Sequence, residues 1–162
     1  MARKFTKQEE RKMQKYPETD TFIWGNENPK GHITNDCVIR AIAGATGLPW
    51  DVVLEGIHSF EKKLARRNDN HVIGKYLEAE GWVKHKQPRH ENGKKYTGEE
   101  FCKWLSINYG DGSMGNVICS VANHMYCIKP TNHGDGINCR YKVVDVWNST
   151  YKTIGNYWTK AK

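Results

Sequence analysis

The segment Cys37-Val-Ile-Arg-Ala-Ile-Ala-Gly-Ala-Thr46 constrains this chain more than any other. Asn35 or Asp36 supplies an N-cap, and Gly47 can terminate the helix. Apolar residues cover nearly every side of it, and a helix that is apolar all round is a buried helix. The rest of the fold must wrap it. A chain of 162 residues has enough length for that, because a domain of this size buries roughly 70% of its extendable surface. Mean hydropathy is low at -0.79, yet aromatics reach 11%, which argues against a disordered chain. The expected organisation is a basic N-terminal arm over 1–20 and one domain over 21–162.

Elements after the buried helix follow from spacing. Pro49 suits a first helical turn, and Val52, Val53, Ile57, Phe60 and Leu64 recur at helical intervals to about Arg67. Asp69 or Asn70 caps a third helix that Gly81 ends, and Thr97-x-x-Glu100 is a capping box opening a fourth. Residues 21–33, with Gly25, Pro29 and Gly31, read as a loop. From Val117 to Ile128 the chain is rich in β-formers and reads as one strand. Tyr141 to Trp147 reads as a second strand, joined to it through a turn at 131–136, and Tyr151 to Trp158 as a last one. The order is helices first and strands after. That predicts an α+β fold with N-terminal helices packed on a C-terminal antiparallel sheet.

Five cysteines, an odd number with no CxxC pair, argue against both a disulfide framework and a zinc ribbon. Cys119, Cys127, His133 and Cys139 match no common zinc spacing, so no metal or organic cofactor is expected. No apolar run approaches the ~18 residues that cross a bilayer. The basic N-terminus lacks a following apolar stretch and does not read as a secretory signal. The net charge of +7 invites nucleic acid, but the three basic clusters, near Arg3, Lys62 and Lys84, carry no recognition signature.

Cys37 is the residue with chemistry on offer. At the first turn of a helix, free N–H groups and the partial positive charge favour a thiolate and can hold an oxyanion. A thiolate nucleophile needs a base, and His124 lies in an apolar strand. The base needs an orienting group on its far nitrogen, and Asp145 lies in the next apolar strand, with Asn148 in reserve. By strand parity, Cys119 and Cys127 face away from His124. Arg40, inside the buried helix, is expected to pair with a carboxylate.

The order Cys, His, Asp, with the thiol opening a buried helix, resembles the papain-like cysteine peptidase superfamily. Asp145-Val-Trp147 is similar to that family's orienting residue with its shielding tryptophan two places on. More narrowly, Asn35-Asp-Cys-Val-Ile-Arg-Ala41 with Gly47, Asn123-His124 and Asp145-x-Trp147 resembles small papain-like proteins encoded by tailed bacteriophages. The resemblance covers roughly Trp24 to Trp158. It implies a cysteine hydrolase or acyl-transferase acting on amide or isopeptide bonds. Cys37 attacks, His124 carries the proton, Asp145 orients the ring and Trp147 shields it. It also implies a phage protein in the host cytoplasm, with a protein or peptide substrate such as an acidic host protein. The family's glutamine before the cysteine is missing, and Asn35 is the nearest amide able to complete the oxyanion site. Two other readings stay open: a non-catalytic binding or inhibitor module on the same scaffold, and a basic protein associated with nucleic acid.

Overall fold

The computed structural model describes residues 3–131 and 138–162. They form five helices, α1 (Lys7–Lys15), α2 (Cys37–Thr46), α3 (Trp50–Leu64), α4 (Asn70–Ala79) and α5 (Gly98–Asn108). The strands are β1 (Phe22–Trp24), β2 (Trp82–His85), β3 (Val117–Val121), β4 (His124–Thr131), β5 (Arg140–Asp145) and β6 (Ile154–Lys160). The strands make one sheet in the order β1-β5-β4-β3-β6-β2. The fold is α+β as expected.

One feature of the expected architecture is corrected. The sheet is mixed rather than antiparallel, because β1 runs parallel to β5, with Phe22 opposite Val143 and Trp24 opposite Asp145. The segment read as a loop over 21–33 therefore begins with a strand. Gly25 ends it, and a Cβ there would lie 2.6 Å from Val144 Cγ1, so the close passage needs a glycine. Helices also cover both faces. Helices α2 and α4 pack on the face carrying Ile118, Met125, Cys127 and Trp158, and α3 packs on those two helices. Helix α5 packs on the other face, against residues that include Val117, Cys119, Tyr126 and Val143.

The predicted strand over 117–128 is two strands. Ala122 and Asn123 turn the chain, with Asn123 at φ 53°, and Val121 faces His124 across the hairpin. The turn resets side-chain parity. Cys127 points toward α2, whereas Cys119 lies with Tyr126 toward α5, so only Cys127 keeps the predicted face. Two thiols on opposite faces of a sheet cannot share a metal. His133, the histidine of the zinc pattern weighed above, lies outside the described residues.

Helix α2 sits in the core as its composition demands, with Ile42 fully buried and Gly44 against the sheet. A Cβ at Gly44 would stand 3.0 Å from Cys127 Sγ, so this glycine lets the helix backbone approach β4 closely. The N-terminal arm is anchored. Thr6 and Glu9 form a capping box, and the Glu9 carboxylate is completely buried. It accepts hydrogen bonds from Arg3 Nη1 and Nη2, both at 2.7 Å, from the Thr6 amide at 2.9 Å and from Asn26 Nδ2 at 2.9 Å. The Arg3 guanidinium outweighs the cost of burial and brings the Glu9 pKa down to about 2. No single helix among the described residues is long and apolar enough to cross a membrane.

Candidate active site

Three element ends meet at one point. Cys37 is the first residue of α2, His124 the first of β4 and Asp145 the last of β5. His124 Nε2 bonds Asp145 Oδ2 at 2.6 Å, which leaves Nδ1 as the nitrogen available to the Cys37 thiol. Trp147 packs beside the ring, tilted by 47° with centroids 5.4 Å apart, and Tyr126 flanks it edge-on at 6.1 Å.

Asp145 is buried, and a buried carboxylate is tolerated only when paired. Its Oδ2 also accepts from Ser149 Oγ at 2.6 Å, and its Oδ1 accepts from the Val146 amide at 2.8 Å. Arg40 Nη1 stands 3.6 Å from the same Oδ1. The backbone is fixed as well. Gly25 N donates to the Asp145 carbonyl at 3.0 Å, and Trp24 Nε1 donates to the Val146 carbonyl at 2.9 Å. Strand β1, short as it is, holds the orienting carboxylate in place.

Behind the thiol lies a second buried carboxylate. Asp36 occupies the N-cap position of α2 but makes no capping bond. Its oxygens instead accept from Arg40 Nε at 2.7 Å, Asn28 Nδ2 at 2.8 Å and Trp50 Nε1 at 3.0 Å. Arg40 thus finds the carboxylate expected of it, and finds two. The network Asn28–Asp36–Arg40–Asp145–His124 ties the start of α2 to the end of β5. The first-turn N–H groups of α2 carry no side-chain cap and remain able to face a negative charge.

The charges answer each other. Burial disfavours the Cys37 thiolate, but His124, the Met125 backbone amide and Arg40 outweigh it, and the thiol pKa falls below its ordinary value. Burial likewise disfavours the imidazolium, yet Asp145 and then Cys37 push the His124 pKa up to about 9. The arrangement favours a thiolate–imidazolium pair. Three buried thiols differ. Burial raises Cys102 and Cys119 far above the ordinary thiol range and Cys127 to about 12.

Two of the sequence-derived site residues are not brought to the chemistry. Asn148 keeps its Oδ1 on Thr150, accepting from the hydroxyl at 2.6 Å and the amide at 3.2 Å, and Asp145 holds the place for which it was the reserve. Asn35 is exposed at φ 65°, a left-handed conformation asparagine tolerates, and it lines neither cavity flanking Cys37. Sequence reasoning missed Ser149, and it missed the hold of Asn28 and Trp50 on Asp36. The polar run Asn148-Ser149-Thr150 after an apolar strand was the only signal for the first of these. Among the described residues, no group of three or more His, Cys, Asp or Glu side chains is placed to hold a metal ion. A groove of about 280 Å³ opens beside Cys37 and His124, lined also by Asn70, Ile73, Ser120 and Met125.

No family model matches the chain, and neither does any curated protein or solved structure with which it was compared.

Proposed function

We propose that this protein is a papain-like cysteine hydrolase or acyl-transferase acting on amide or isopeptide bonds. The observation that carries the reading is His124 bonded to Asp145 at 2.6 Å on one side while facing the Cys37 thiol on the other. Cys37 attacks the carbonyl as a thiolate. The α2 N–H groups receive the negative charge that develops on the oxygen. His124 donates its proton to the leaving amine, then draws one from water or an acceptor amine to release the acyl group. Asp145 holds the ring, and Trp147 screens the His124–Asp145 bond from water. The resemblance further suggests a phage protein in a bacterial cytoplasm, and the net charge of +7 suits an acidic host protein as substrate.

Iodoacetamide labelling of Cys37 against pH tests this reading. The expected profile is a thiolate titrating well below ~8.5, lost or raised in His124→Ala. A folded protein whose Cys37 labels no faster than a model thiol overturns the proposal. The second reading, a binding module without turnover, is favoured by the exposed, left-handed placement of Asn35, which lines neither cavity flanking Cys37. An activated ester separates the two: an enzyme acylates Cys37 and releases the acyl group, whereas a binding module stalls as the thioester.

A further inference from the structure

The groove beside Cys37 does not end at Cys37. It continues into a second cavity of about 100 Å³ that shares Asn70, Ile73, Ser120 and Met125 with it and adds Asn156, Trp158 and Lys84. The path is a diagonal across the sheet, from the start of β4 over β3 and β6 to β2, along the N-terminal end of α4. Its floor is apolar, made of Ile73, Met125 and Trp158, all buried. Its walls are amides and a hydroxyl. Among the described residues, the side chains of Asn70, Ser120, Asn123 and Asn156 make no hydrogen bond within the protein. Such groups suit the backbone of an extended chain, which offers donors and acceptors in alternation.

The far end is cationic. Lys84 stands opposite Trp158 in the β2–β6 register, its Nζ 5.9 Å from the indole centroid. It is exposed and has no ion pair among the described residues. The acid of the near rim, Asp69, is already engaged: it caps α4 and is held by Arg66 at 2.7 Å. Among the described residues, the groove therefore offers one uncommitted charge, and it is positive.

We infer that this groove takes an extended peptide segment carrying an aspartate or glutamate two or three residues from the carbonyl that Cys37 attacks. The inference rests on the proposed function and adds the substrate class. The spacing comes from the sheet. His124 lies opposite Val121 and Trp158 opposite Ile118, three residues further along β3, while Lys84 lies three strands from β4. With ~3.3 Å per residue and ~4.8 Å between strands, the span is about 17 Å. Subtracting roughly 7–10 Å for the combined reach of a lysine and a glutamate side chain leaves two or three residues at ~3.3–3.6 Å each.

Affinity labelling tests it on the intact chain. Chloroacetyl peptides of alanine carry one glutamate at position one to five from the warhead, and a parallel set carries lysine. The Cys37 thiolate displaces chloride, and each rate is divided by that for chloroacetamide, which removes the intrinsic reactivity of the thiol. The expected result is a ratio about two- to fivefold higher for glutamate than for lysine at position two or three, the size of an exposed ion pair. It should be reduced in high salt. Lys84→Glu should reverse the preference, each rate again divided by that variant's own chloroacetamide rate. Equal ratios at every position, or a preference that survives Lys84→Glu, overturn the inference. If chloroacetamide labelling proves independent of His124, the catalytic reading fails instead, and the ratios still report on the groove.

Discussion

Helices α2 and α5 begin in opposite ways. At α5, Thr97 and Glu100 close a reciprocal box: the Glu100 amide donates to Thr97 Oγ1 at 3.2 Å, and the Thr97 amide donates to Glu100 Oε1 at 3.0 Å. Helix α1 uses the same device, and Asp69 caps α4 through the Val72 amide. At α2 the N-cap carboxylate is present but turned away onto Arg40, Asn28 and Trp50. A side-chain cap contributes about 1 kcal/mol, so α2 forgoes a stabilisation that three of its neighbours take. What it keeps is a set of donors at the thiol. The same contrast separates the cysteines. Cys102, inside α5, has its pKa raised by burial, whereas Cys37, at an uncapped helix start beside a paired imidazole, has its pKa lowered.

The most direct way to break the contrast is to release the Asp36 carboxylate. Arg40→Met removes the cation that bridges Asp36 and Asp145 and leaves both buried carboxylates short of a partner. Losing one member of a buried ion pair costs about 3–5 kcal/mol, and urea denaturation should show a loss of that size. Arg40→Lys should recover part of it, since a single ammonium can reach one carboxylate but not fork between two. A loss below ~1 kcal/mol for Arg40→Met would mean that the network does not hold the two element ends together.

Asp145→Asn acts on the chemistry with little change in shape. The His124 pKa should drop from about 9 toward its ordinary range, because the carboxylate hydrogen bond is the largest of the influences that raise it. Ring-proton NMR titration reads this directly. The Cys37 labelling rate at pH 6 should fall with it, by about tenfold for each unit lost from the coupling. The sign for stability follows from the raised His124 pKa. Its contribution is complete below the unfolded value near 6.5 and disappears as pH rises through about 9. The wild type should therefore lose stability across pH 6.5 to 9 through this group, and Asp145→Asn should show a flatter profile. Glu9 has the opposite sign. Its lowered pKa stabilises the fold above about 4.5, and the effect is lost as pH falls toward 2. Thermal melts of Glu9→Gln should lack that acid-side decline while leaving Cys37 labelling at pH 7 unchanged.

Some of this was legible in the sequence because the signals are local. The segment 37–46 is apolar all round, and the structure buries it. Thr97 and Glu100 sit three apart, and the box forms. Cys37, His124 and Asp145 each end up at an element terminus, where the sequence alone indicated only a helix start and two apolar strands. What stayed hidden depends on partners distant in the chain. Strand β1 has three residues and becomes a strand only beside Val143–Asp145, more than a hundred positions away. The turn at Ala122–Asn123 lacks both glycine and proline, and Asn123 at φ 53° was its only mark. Asp36 looked like a cap, because capping propensity is local and the pull of Arg40, Asn28 and Trp50 is not.

The smallest predicted effect sharpens the comparison from the other side. Thr97→Ala removes the cap of α5 and should cost about 1 kcal/mol, measured by urea denaturation. Helix α5 packs on the sheet face opposite α2, and none of its residues touches Cys37, His124 or Asp145 through a hydrogen bond or ion pair among those described. The pH profile of Cys37 labelling should therefore be superimposable on that of the wild type. A shifted profile would mean that the two helix starts are coupled through the sheet. Tyr126 is the contact through which that coupling would run, since it packs with Phe101 in the α5-side core and lies edge-on to His124.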